Sequence, residues 1–95
     1  MLRNPVGSQR LDILEWLKDP AAHFPAQAHE DLVEDGVTAD AVAAKLGVPR
    51  AVADTHLDLL AAVGLLRTRR IRRCTYYRRD EVRIAEVGRM FEKGW

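Results

Sequence analysis

Apolar positions fall into two rhythms along this chain. Leu11, Leu14 and Leu17, with Ile13 and Trp16 beside them, recur at helical spacing behind Ser8, a fitting N-cap, so the pattern predicts a helix over 9–18 that Pro20 ends. Ala39, Val42, Ala43 and Leu46 give a second helical face over 39–46, capped by Thr38 and supported at its positive end by Asp40. Gly47 suits the left-handed residue that closes such a helix, and Pro49 suits the first turn of the next. That third helix runs over 49–63, with Ala53, Leu57, Leu60 and Ala61 on one face and Gly64 ending it. After Gly64 the period shortens. Residues 65–71 and 74–78 are rich in β-branched and aromatic side chains and read as a two-stranded hairpin turning near 71–73, where the glycine or asparagine usual in such turns is missing. Tyr76 and Tyr77 fall on opposite faces of the second strand, one expected in the core and the other free to reach a phosphate. Asp80 caps a last helix to about residue 93, on which Ile84, Val87 and Phe91 form a stripe, with Gly88 leaving room for another helix.

The stretch from Asp19 to Gly36 holds Pro20, Pro25 and the acids Glu30, Asp31, Glu34 and Asp35. It is too long for an ordinary connection, so a short helical turn is expected near 28–33. The 95 residues make one domain. A chain of that length buries roughly 60–65% of its unfolded surface, so a second copy would add needed burial. With 47% apolar residues it is not a disordered chain, and no run of 18 apolar residues exists to span a membrane. A single cysteine, Cys74, makes no internal disulfide, and the first residues lack a signal peptide's apolar stretch; both fit a cytoplasmic protein. Cys74 reads as a small strand residue under the hairpin, with a thiolate held by its arginine neighbours as the alternative. The net charge of +1 hides a division: residues 11–58 carry ten acids against three bases, and residues 59–95 carry ten bases against four acids. The basic half points to a polyanion.

Two helices joined by a tight glycine turn and followed by a hairpin make a winged helix-turn-helix: mainly α, with a small β-hairpin, in the order α-α-α-β-β-α. A helix fits the major groove of duplex DNA, and a hairpin beside it reaches the backbone or minor groove. Seven arginines stand within 67–79. The expected DNA contacts are Arg50, Thr55 and His56 from the helix and Arg67, Arg69, Arg70, Arg72, Arg73 and Arg78 from the hairpin. Arginine pairs with phosphate through two parallel hydrogen bonds, and phosphate contacts carry most nonspecific affinity. His56 stays open between a contact to DNA and a satisfied structural histidine. No nucleophile elbow, phosphate loop or paired metal motif occurs, so neither an enzyme nor a cofactor is expected.

These segments resemble the ArsR/SmtB family of dimeric repressors. Arg10-Leu11-Asp12-Ile13-Leu14-Glu15-Trp16-Leu17, behind the Leu-x-x-Pro of Leu2–Pro5, looks like the family's first helix. Ala41-Val42-Ala43-Ala44-Lys45-Leu46-Gly47-Val48 looks like its first motif helix, and Val52 through Leu66, with His56-Leu57-x-x-Leu60 and Gly64-Leu65, looks like its recognition helix and the approach to the wing. The resemblance implies a homodimer formed by 1–18 and 80–95, with Leu11, Leu14, Ile84, Val87 and Phe91 at the interface, a helix-turn-helix at 38–63, a wing at 65–79, and a small-molecule effector of unknown identity. Two departures stand out. Asp54 and Thr55 occupy the positions where the family usually carries Ser-Arg, and Asp58 stands where a basic or polar residue is usual. The acids would repel phosphate or accept from cytosine amino groups, with Arg50 placed for guanine. The family's metal sites are absent: 37–42 holds no cysteine and 80–95 no histidine. His23 and His29 among the loop acids are explained more simply by loop composition than by a metal. The alternative function is a protein- or small-ligand-binding module that keeps the fold and has lost operator reading.

Overall fold

A computed structural model describes residues 6–25 and 35–92, with side chains described for 8–25 and 35–90. The order is α1 (Val6–Lys18), α2 (Pro20–His23), β1 (Val37–Thr38), α3 (Ala39–Leu46), α4 (Arg50–Ala62), β2 (Leu66–Ile71), β3 (Cys74–Arg79) and α5 (Glu81–Glu92). This is a winged helix-turn-helix. The helical turn expected near 28–33 lies outside the described residues. A different short helix, α2, forms where Pro20 was expected only to end α1. Proline lacks an N–H and has its φ preset, so it opens α2 as readily as it closes α1. α1 itself starts at Val6, so Ser8 lies inside the helix and is not its cap.

The helix-turn-helix forms for local reasons. Thr38 Oγ1 accepts from the Ala41 N–H at 3.2 Å, satisfying one of the free donors at the start of α3. Gly47 takes φ 72°, and its N–H and that of Val48 both return to the Ala43 carbonyl, at 2.9 and 3.1 Å. This closes α3 within one residue. Pro49, extended at φ −61° and ψ 151°, then starts α4. Gly64, at φ 85°, follows α4 and turns the chain into β2.

The sheet has three strands where two were expected. β3 lies in the middle, antiparallel to both neighbours, in the order β1-β3-β2. Val37 pairs with Tyr77 on one side, and Thr68 pairs with Tyr77 on the other. Beneath it lies a single core: Ile13 and Leu17 of α1, Phe24, Val37, Val42 of α3, Leu57 and Leu60 of α4, Leu66 and Tyr77. The Trp16 and Phe24 rings meet edge to face at 6.4 Å, and Lys45 Nζ lies 5.2 Å from the Trp16 ring centre. Tyr76 points away from that core yet is also buried, at 8% exposure, so the expectation that one tyrosine stands free is corrected. Among the described residues, no helix is long and apolar enough to cross a membrane.

Gly36 makes the approach of β1 to β3 possible. Its φ is 100°, and a Cβ built there would lie 2.4 Å from the Tyr77 carbonyl oxygen. Gly36→Ala is therefore expected to cost about 2 kcal/mol or more of unfolding free energy, from a left-handed backbone and a backbone clash together. A urea titration followed by circular dichroism should show a lower midpoint with an unchanged slope.

Candidate nucleic-acid interface

α4 and the β2–β3 hairpin form one continuous surface. α4 packs against β2. The Tyr77 hydroxyl donates to Asp58 Oδ1 at 3.4 Å, a direct link from the wing's central strand to α4. Burial pushes the Tyr77 hydroxyl's pKa up, and the Asp58 and Asp54 carboxylates push it further, so the tyrosine stays a neutral donor.

The hairpin sets a dense row of cations. β2 is an edge strand, and Arg67, Thr68, Arg69 and Arg70 are all exposed along it. In the register, Arg67 lies directly opposite Arg78. Like charges facing each other across two strands destabilise a sheet. Arg67, Arg70, Arg73 and Arg78 have no carboxylate partner among the described residues, so nothing within the described chain offsets this repulsion. Arg69, Arg72 and Arg79 are engaged. Arg69 Nη1 reaches Asp35 Oδ1 at 3.1 Å. Arg79 Nε lies 3.0 Å from Glu81 Oε2, and its Nη1 donates to the Leu14 carbonyl at 3.1 Å, tying the wing to α1.

The hairpin turns on Arg72 and Arg73, both with positive φ, at 50° and 70°. A two-residue turn of this kind favours Asn-Gly, because each non-glycine residue held left-handed costs on the order of 1 kcal/mol. Two arginines are the costly choice for folding. Their value lies in charge at the tip, where both side chains are exposed.

The helix is less basic than the hairpin. Arg50 is exposed but lies between carboxylates, 3.3 Å from Asp40 Oδ2 and 3.7 Å from Asp54 Oδ2. Such exposed pairs contribute less than about 1 kcal/mol each, so Arg50 can exchange them for a phosphate. Thr55 is exposed, with its hydroxyl donating to the Ala51 carbonyl at 3.0 Å. His56 is corrected from a candidate contact to a structural residue. It is 2% exposed, and its Nε2 lies 3.0 Å from Gln9 Oε1, joining α4 to α1. Burial, then the Arg10 charge, lowers its pKa, so the ring is neutral. Nδ1 is left as a buried acceptor without a partner among the described residues. The sequence held the signal: His56 stands three residues after Ala53 and four before Leu60, on the buried stripe. The Asp58–Tyr77 and Asp40–Arg50 links were missed, since each joins residues on different elements.

Of the residues expected at a dimer interface, Leu11 is 67% exposed, Leu14 packs partly against the core, and Ile84 and Val87 are half-buried. The Phe91 side chain lies outside those described. α5 also exposes Val82 at 73% and Met90 at 46%. An open cleft of about 210 Å³ lies between the end of α1 and β3, lined by Leu17, Pro20 and Tyr77, the basic side chains of Lys18, Arg78 and Arg79, and the acid Glu81.

The chain is similar to an uncharacterised HTH-type transcriptional regulator, YbzH of Bacillus subtilis (strain 168), with 37% identity over 81 residues, which cover 85% of this chain and 81% of that protein. No family model matches the chain, and no solved structure does.

The strained tip predicts a gain on relaxing it. Replacing Arg72-Arg73 with Asn-Gly should raise stability by about 1–2 kcal/mol, because both residues then accept left-handed backbone and two like charges leave. A thermal melt that fell instead would show that the turn is not strained.

Proposed function

We propose a specific role on one premise: the chain belongs to the family of HTH-type transcriptional regulators. It is a homodimeric repressor of the ArsR type that binds duplex DNA. α4 lies in the major groove, and the arginine hairpin lies on the phosphates and minor groove beside it. Segments 1–18 and 80–95 form the dimer, 38–63 the helix-turn-helix and 65–79 the wing. One observation carries this reading: Arg67, Arg70, Arg73 and Arg78 are exposed on a hairpin joined to α4, without a carboxylate partner among the described residues, two of them opposed across the strands. A fold that sets cations against one another gains when a polyanion lies between them. Arg50, Arg69 and Arg72 complete the basic rim, and Thr55 faces out from the helix.

Dimerisation rests on apolar exposure. Leu11 on α1 and Val82 and Met90 on α5 are large apolar side chains left to solvent, and Ile84 and Val87 of α5 are half-covered. A second copy would cover them, and two-fold symmetry would present two α4 helices to an inverted repeat.

Two measurements test this. Fluorescence anisotropy with duplex DNA from the gene's own upstream region should show affinity falling steeply with salt. The triple change Arg67→Ala, Arg70→Ala and Arg73→Ala should weaken binding to every duplex and reduce the log–log salt slope by roughly 2–3 units. An unchanged slope removes the wing from the interface, and no binding even at low salt favours the ligand-module alternative. Ile84→Glu should turn a dimer into a folded monomer by sedimentation and circular dichroism, with at least a tenfold loss of DNA affinity. A wild-type chain that sediments as a monomer overturns the dimer.

A further inference from the structure

The outward face of α4 has little left with which to donate a hydrogen bond. Arg50 is its only basic residue besides the buried His56, and Arg50 lies between Asp40 and Asp54. The Thr55 hydroxyl hydrogen is spent on the Ala51 carbonyl, so this exposed side chain offers its methyl group. Asp58 is an acceptor already engaged by Tyr77. Around these groups the face is apolar: Ala51 and Thr55 stand on its centre line, with Val52 at 38% and Leu59 at 43% exposure beside them.

Base edges in the major groove present mainly acceptors: guanine N7 and O6, adenine N7 and thymine O4. A helix rich in carboxylate and poor in donors gains little from these. The amino groups of cytosine and adenine ask for an acceptor, but Asp54 and Asp58 are already engaged by Arg50 and Tyr77; the C5-methyl of thymine asks for neither donor nor acceptor. The residues nearest the start of a groove-lying helix reach the base edges, and here those are Ala51, Val52 and Thr55, with Leu59 two turns on from Val52. The adjoining wing supplies the positive charge that holds this cation-poor face against DNA.

We propose that α4 reads its site through thymine methyl groups, contacted by Ala51, Val52, Thr55 and Leu59, while the wing arginines supply the phosphate affinity. This rests on the reading above that α4 enters the major groove. It assigns sequence preference to apolar contact, with a thymine-containing step opposite the first two turns of α4 in each half-site.

The full chain is used to select duplexes from a random-sequence pool, and the tightest is remade with deoxyuridine for thymidine, which keeps base pairing and deletes only the methyls. Each contacted methyl should be worth about fourfold in affinity. The uracil duplex should therefore bind at least tenfold more weakly, with the salt slope unchanged because no phosphate contact is lost. Thr55→Ser keeps the hydroxyl and removes the methyl. It should lower affinity for the thymine duplex and shrink the further loss caused by uracil. Equal affinity for both duplexes, or selected sites without thymine opposite α4, overturns methyl reading and leaves the regulator standing. A pool from which no duplex is enriched overturns both. The uracil comparison uses the unaltered protein, so it decides the matter whether or not the variant folds.

Discussion

Tyr77 fills the seam between the sheet and the helix-turn-helix, and the placement of the wing follows from it. Its ring is in the core, its backbone pairs with Val37 and lies opposite Thr68, and its hydroxyl reaches Asp58 on α4. Because β3 is the middle strand, fixing Tyr77 fixes β1 and β2 as well. Gly36 serves the same seam, since only a residue without Cβ lets the chain pass so close to the Tyr77 carbonyl. The angle between hairpin and α4 is thus set by a buried side chain and two ladders. A basic edge strand could not hold it alone, because its cations repel one another.

That repulsion shows what the hairpin costs the fold. β2 buries Leu66 at its root and leaves Arg67 through Arg70 exposed, so the outer part of the wing contributes little apolar burial. The turn places two arginines in left-handed backbone, and Arg67 faces Arg78. A domain of this size has only a few kcal/mol of stability to spare. Elements that lower stability in such a chain are explained by what they do once a partner is bound. The stabilising links are placed inward: Arg79 to Leu14 and Glu81, His56 to Gln9, Asp58 to Tyr77.

Where structure is decided within a few residues, the sequence was readable. Thr38, Gly47 and Pro49 marked the ends of α3 and the start of α4, and the apolar spacing of Ala53, Leu57 and Leu60 marked the buried side of α4. Where it is decided by a distant partner, it was not. β1 is two residues long and exists only because Tyr76 and Tyr77 lie beside it, some forty positions away. Pro20 was ambiguous because the residue that cannot continue one helix can begin another. His56 is the instructive error. Its place on a helix read as groove-facing left it open as a contact, while its phase between Ala53 and Leu60 already turned it inward. The arginine cluster was legible as charge, but which of its members are engaged depends on Asp35 and Glu81, residues of other segments.

The acids of α4 then fall into place. Asp54 and Asp58 read, in isolation, as a defect in a helix meant for a polyanion. In the structure each is engaged close by. Asp54 helps hold Arg50, and Asp58 receives the Tyr77 hydroxyl that joins helix to wing. Their repulsion of phosphate is modest, since exposed charges in water interact with on the order of 1 kcal/mol or less. Against it stand four hairpin arginines, Arg67, Arg70, Arg73 and Arg78, that have no carboxylate partner among the described residues. In the proposed binding mode, affinity and selectivity are carried by different elements. Salt would act on the wing, where that mode places the phosphates, and hardly on methyl contacts made by α4. Rising ionic strength should release this protein from all duplexes together and leave its order of preference among them intact.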